Sequence, residues 1–370
     1  MLKKGLFCRM IALGLALGAF GASAESANAI VRLLNSRASG SRKGYERAAE
    51  EVAKSAREGK TVHGYVLALV SRDPNAPAAA RMDEATRTNY LNACRASLRR
   101  SMLEKNNPMA MYLLSLETSD TNLLQRAAAG GNVQAMNAWG TYVLTCALNE
   151  SRTTNELAQA MECAFTCFSQ AAGKGDANGL YNLGTCHARG FGVPRDDRNA
   201  FDCFRSAAEK GHPEAINNIG WFFREGRVVE KDPVMSARWF AKSAEYGNAY
   251  GQFNYALALQ RGDGVKKDEA AAAVLLKKSS ENGCIEALDA YGVALWKGRG
   301  VKADHAEAFR LFMQASKLGY PPAMRNVATC YERGTGVPVD ARAAMEWRIR
   351  SRAALGDRNA QAWLRQNNLK

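Results

Sequence analysis

Histidine is scarce in this chain: four residues, His63, His187, His212 and His305, among 370. None stands in a His-Glu-x-x-His pair, which excludes the helical zinc-hydrolase arrangement. No Gly-x-Ser-x-Gly turn occurs, and no serine is followed three residues later by lysine, so the usual serine acyl-enzyme motifs are missing. There is no Cys-x2-Cys pair of the kind that clips a structural zinc. Proline is sparse, 9 residues against 32 glycines, a balance expected of many helix ends and few strands. Past the N-terminus no apolar run is long enough to span a bilayer. The expectation from these absences is no catalytic residue, no cofactor, no metal site and no transmembrane segment in the mature chain.

What is present suits a folded protein: 47% hydrophobic and 23% charged residues. The formal charge is +14, which favours an acidic partner. Lysine and arginine are spread along the chain rather than clustered, so they read first as a solvated surface. Residues 1–24 read as a signal peptide. Lys3, Lys4 and Arg9 precede an apolar stretch from Met10 to Phe20, and Ala22-Ser23-Ala24 is a small-residue cleavage site. The expected location is therefore periplasmic or secreted, where nucleic acid is a poor partner.

Self-comparison reveals a repeat. Glycine recurs at Gly190, Gly226, Gly262, Gly298 and Gly334, 36 residues apart. Two residues later stand Gly192, Val228, Gly264, Gly300 and Gly336, each followed by valine: Val193, Val229, Val265, Val301 and Val337. Aspartate then recurs at Asp196, Asp232, Asp268, Asp304 and Asp340. The first glycine ends one helix in a left-handed turn, and the aspartate caps the next. Gly211, Gly247, Gly283 and Gly319 end that second helix. The Gly-x-Gly-Val loops follow helices and are turns, not phosphate cradles. Small residues sit midway along the first helix (Gly184, Gly220, Ala256, Gly292, Ala328), and Phe204, Phe240, Leu276 and Phe312 offer bulk from the second. The predicted fold is all-α: a right-handed superhelical solenoid of antiparallel helix pairs.

Leu180-Tyr181-Asn182-Leu183-Gly184 with Gly190-Phe191-Gly192-Val193, and Ala207-Ala208-Glu209-Lys210-Gly211, resemble the Sel-one-like repeat family, a branch of the tetratricopeptide-like solenoids. Repeats are expected over 132–356 and a capping helix over 357–370. The segment 25–131 reads as degenerate repeats with an N-terminal cap. The stretched copy at 132–175 is expected to carry about eight extra residues in a loop near 147–155. The resemblance implies that the first helix of each pair lines a concave, peptide-binding face. Asn182, Asn218, Asn254 and Asn326 share one register there and are the candidate partner-binding residues, or else bonds within the scaffold.

Eight cysteines follow the signal segment. Cys186 and Cys203 flank one loop, as Cys146 and either Cys163 or Cys167 flank another; these five are the disulfide candidates. Cys-rich secreted relatives bridge cysteines about eight residues apart, a spacing absent here. A metal reading would combine Cys163, Cys167, Cys186, His187 and Cys203. The expected function is a non-catalytic protein–protein interaction scaffold binding a peptide or protein. The alternative, suggested by some exported relatives, is a weak β-lactam or peptidoglycan-fragment binder or hydrolase.

Overall fold

The structure is a computed structural model describing Leu33, residues 42–57, Val66, Ala68, residues 70–71, 78–149 and 153–367. The expected signal peptide, Cys8 and His63 lie outside the described residues. Every element among the described residues is helical, and none is long and apolar enough to cross a membrane. Two compact units are distinguished.

The first unit comprises 1–182 with 191–193. It holds α1 (Arg42–Arg57), α2 (Glu84–Lys105), α3 (Pro108–Thr118), α4 (Thr121–Ala129), α5 (Val133–Asn149) and α6 (Thr154–Gly173), and the start of α7 (Ala177–Arg189). Helix α2 begins at Glu84. Asp83 takes the capping position and accepts from the Thr86 amide at 2.8 Å, while 78–80 form a single 3-10 turn. The stretched copy differs from expectation. Its extra residues lengthen the helices instead of the loop: α5 has 17 residues and α6 has 20. Thr153 and Glu156 form a reciprocal capping box that starts α6 at Thr154. The strong helix formers Leu157, Ala158 and Ala160 then extend it.

The second unit comprises 183–190 and 194–370. After the end of α7 come α8 (Asp197–Glu209), α9 (Pro213–Glu225), α10 (Pro233–Glu245), α11 (Ala249–Arg261), α12 (Glu269–Glu281), α13 (Ile285–Lys297), α14 (His305–Lys317), α15 (Pro321–Arg333), α16 (Ala341–Ala354) and α17 (Arg358–Gln366). Helices α9 to α15 are each 13 residues long. Odd-numbered helices α7 to α15 are the first of each hairpin, here helix A, and even-numbered α8 to α16 are helix B.

The loop chemistry repeats at each hairpin. Gly226, Gly262, Gly298 and Gly334 lie at φ 70, 76, 64 and 67, where a side chain is costly. Asp232, Asp268, Asp304 and Asp340 each accept from the amide three residues on at 2.9 Å. Their own amides close the loop on carbonyls of the preceding helix A, as Asp232 does on Phe223 at 2.9 Å. The loop valines are half-buried rather than fully enclosed.

Within a hairpin, helix A glycines face helix B rings. A β-carbon at Gly184, Gly220 or Gly292 would lie 2.8, 2.6 or 2.7 Å from Phe204, Phe240 or Phe312, well inside van der Waals contact. Where helix B carries the slimmer Leu276, helix A carries Ala256 and both are fully buried. Between hairpins, the second loop glycine rests on the first turn of the preceding helix B. A β-carbon at Gly264 would collide with the Pro233 carbonyl, and Gly300 and Gly336 meet Glu269 and His305 in the same way. A recurrent serine clamp ties the two ends of a hairpin: Ser243, Ser279 and Ser351 hydroxyls donate to the Pro213, Ala249 and Pro321 carbonyls at 2.9, 2.7 and 2.9 Å.

One loop departs from this scheme. Val228 occupies the second glycine position at φ 67. There the Arg227 guanidinium spans to Asp197, the first residue of the preceding helix B, with Nε 3.1 Å from Oδ2, and lies 5.4 Å from the Phe222 ring centroid. This ion pair holds Asp197 below the usual carboxylate range.

Two stability changes are expected. Asp232→Ala removes a cap and should lower stability by about 0.5–2 kcal/mol in urea unfolding. Val228→Gly relieves left-handed backbone and should raise the urea midpoint, by up to about 1 kcal/mol after the entropy cost of glycine. A midpoint for Val228→Gly below that of the parent would contradict the strain assigned to this loop.

Candidate interaction surface

The candidate asparagines join one repeat to the next. Asn254 donates to Asn217 at 2.9 Å, and Asn326 donates to Asp289 at 2.7 Å. Asn182 reaches Asn137 at 3.4 Å, and Asn137 also donates to Asp176 at 2.8 Å. The residue one place earlier in the preceding helix A thus accepts from the register asparagine, a partner the sequence reading did not single out. Its signal was the 37-residue separation that Asn217–Asn254 and Asp289–Asn326 share. Asn218 is half-buried beside Asn217. The serine clamp was equally unread, although Ser243 and Ser279 recur at the repeat period.

A cavity lies between α9, α10 and α11 in the second unit. It has a volume of about 300 Å³. Arg224 and Arg261, at the ends of α9 and α11, and Lys231, in the loop before α10, line its rim. Pro233, Ala237, Phe240, Leu257 and Ala258 supply apolar wall, and Ser236 and Asn254 are its buried polar groups. Asp263 is its one acid. Trp221, at the edge of exposure, holds the Arg224 guanidinium 4.6 Å from its ring centroid. The other helix A aromatics, Tyr181, Tyr255, Tyr291 and Trp296, are half-buried.

A second polar cluster surrounds the start of α13. The Cys284 thiol donates to Glu286 at 3.3 Å. The Glu286 charge pushes the Tyr250 phenol up, and burial followed by the Asp289 charge pushes Tyr320 up. Burial lifts the Asp289 carboxyl, against the Asn326 hydrogen bond and the Arg325 charge.

Among the described residues no cysteine stands in a disulfide. Cys186, Cys203, Cys146, Cys163 and Cys167, the five disulfide candidates, are free thiols, as are Cys94, Cys284 and Cys330. For Cys186 with Cys203 and for Cys146 with Cys167 the helix geometry accounts for this. Cys203 packs over Gly184 in the hairpin, with its Cβ 3.1 Å from where a β-carbon there would stand. Cys186 is two residues further along α7, about 200° around the helix. Cys167 packs likewise over Gly140, and Cys146 lies six residues further along α5, about 9 Å away at 1.5 Å per residue. Burial, reinforced by the Cys203 charge, pushes the Cys186 thiol up to about 11. Burial and the Cys163 neighbour push Cys167 up to about 12. Cys284 and Cys330 rise to about 11 through burial. Thiols so raised are poor nucleophiles, the reverse of an activated cysteine. Among the described residues no three or more of His, Cys, Asp and Glu gather as a metal site.

Asp289 yields a pH prediction. Its folded value is raised, so the folded chain holds this proton more tightly than the unfolded chain. Ionisation therefore costs stability as pH rises through the folded value. Asn217 shows that asparagine can accept the same bond in the equivalent place. Asp289→Asn should melt above the parent at neutral pH, and the gap should narrow as the pH falls to about 4. A variant that melts below the parent at neutral pH would overturn this account.

Comparison with known proteins places this geometry. No curated protein matches the chain. The Sel1 repeat family matches residues 177–212, 213–248, 249–284, 285–320 and 321–348. Each match begins on the first residue of a helix A, and the stretched α5–α6 copy lies before the first. Among solved structures, a Sel1 repeat protein from Oxalobacter formigenes is 26% identical, with a TM-score of 0.55 over 62% of this chain and 94% of that one. A protective antigen displaying an SLR fold, present in uropathogenic Escherichia coli strains, is 25% identical, with a TM-score of 0.54 over 85% of this chain and 66% of that one. Sel1-like repeat proteins are mostly non-enzymatic and generally serve as protein-interaction scaffolds. With five consecutive Sel1 repeats and an all-helical hairpin architecture, the chain is a helical solenoid of the Sel1-like repeat family.

Proposed function

We propose that the protein is a non-catalytic scaffold, periplasmic or secreted, that holds a peptide or protein partner along a solenoid face. The carrying observation is the direct bonding of one helix A to the next, through Asn254–Asn217 at 2.9 Å and Asn326–Asp289 at 2.7 Å. A face whose helices are already fixed in register loses little freedom when a partner lies across it, so modest contacts sum to useful affinity. The raised thiols and the absence of the common hydrolase motifs favour holding over turnover. The location rests on the basic, apolar and small-residue order of residues 1–24, and an acidic partner is favoured by the net charge of +14.

The test has two arms. The full chain, expressed in its host, should fractionate outside the cytoplasm, and cross-linking there should trap a defined protein partner. The purified chain should hydrolyse a chromogenic β-lactam no faster than buffer. Turnover that disappears when one residue is replaced would overturn the reading.

A further inference from the structure

Several arginines of the second unit are paired with an acid. Arg227 pairs with Asp197, Arg310 with Glu307, Arg348 with Glu332, Arg350 with Glu346 and Arg352 with Asp357. The three cations around the α9–α11 cavity are not among them. Arg224, Lys231 and Arg261 form no ion pair among the described residues, and neither does Asp263, the single acid of the lining. The cavity rim thus carries two net positive charges on side chains that remain available.

Arg224 is also held in place. Its guanidinium carbon lies 4.6 Å from the Trp221 ring centroid, a cation–π contact. Phe240, buried, and Leu257, half-buried, give the lining an apolar part. Asn254 cannot swing out to serve a ligand, because its amide is committed to Asn217 at 2.9 Å. At about 300 Å³ the cavity is at the lower limit of ligand pockets, room for one or two side chains.

We propose that this cavity is an anchoring site for a glutamate-rich segment of a protein partner, the carboxylate meeting Arg224, Arg261 and Lys231 while its methylenes lie on Phe240 and Leu257. Planar guanidinium groups match a carboxylate in pairs, and the apolar part of the lining suits a side chain with methylenes ahead of its charge. A bare phosphate would satisfy the rim but leave the apolar part uncontacted. The proposal rests on the scaffold reading above and names the chemistry of its partner.

The experiment uses the full chain and a fluorescein-labelled hexaglutamate with blocked ends, followed by fluorescence anisotropy. The parent should bind it, and affinity should fall steeply with added salt. The double variant Arg224→Gln/Arg261→Gln should lose about tenfold or more in affinity. A control, Arg310→Gln/Arg348→Gln, removes the same charge from paired, exposed positions and should bind as the parent does. If loss of the Trp221 contact unfolds the first variant, Lys231→Gln/Arg261→Gln carries the same expectation. Three results would overturn the proposal: no binding by the parent, equal loss in the pocket and control variants, or displacement by inorganic phosphate at concentrations below those of free glutamate. None of the three touches the scaffold reading, which stands or falls on the partner trapped in cells by the parent chain.

Discussion

The structure depends on how closely two helices of one hairpin can approach. Gly220 lets the Phe240 ring lie where a β-carbon would otherwise stand 2.6 Å away, and the same fit recurs at Gly184 with Phe204 and at Gly292 with Phe312. Glycine inside a helix costs about 1 kcal/mol relative to alanine. Burying a phenylalanine side chain gives back about 1.5–3 kcal/mol, so the exchange favours the fold. Leu276, being narrower, permits Ala256 and avoids that cost. The spacing set here fixes where each loop emerges, and hence whether its second glycine can rest on the preceding helix B.

Stacking then follows from contacts that no hairpin can make alone. The Gly264 loop lies against the Pro233 carbonyl, and Asn254 bonds to Asn217, in each case across a repeat boundary. These are nearest-neighbour terms of the kind that make a repeat array stiff along its length. Position 228 shows what replaces the glycine contact when it is missing: a valine held in left-handed backbone, and an arginine reaching to Asp197. A charged pair here does a job that elsewhere needs only the absence of a side chain.

Much of this was legible in the sequence because backbone requirements recur at a fixed period. Left-handed turns demand glycine, helix starts demand an oxygen acceptor, and five glycines and five aspartates, each set spaced by 36 residues, announce the two in turn. The interlock of small and large residues was legible for the same reason. The stretched copy was harder: eight extra residues look the same in sequence whether they loop out or extend a helix, and the Thr153–Glu156 capping box decided between the two. Cysteine positions were readable as loop-flanking, but pairing depends on azimuth around each helix. Cys186 and Gly184 differ there by about half a turn. The asparagine register stood out, yet its acceptors lie one residue and one repeat away, a diagonal that single-register reading does not cross.

The diagonal also bears on how charge is arranged over the molecule. Asp289 takes the acceptor place that Asn217 fills elsewhere, and burial makes its carboxylate costly. Arg325 stands near enough to offset part of that cost. Buried or half-buried charges in the second unit are thus met by a partner: Asp289 by Asn326 and Arg325, Asp197 by Arg227 and Arg195, Glu346 by Arg350. Three unpaired cations, Arg224, Lys231 and Arg261, line one small cavity. Their mutual repulsion disfavours the compact state, and nothing in the hairpin packing requires Lys231 or Arg261 to be basic. An uncompensated charge at a preformed cavity is the arrangement expected where compensation arrives with a partner.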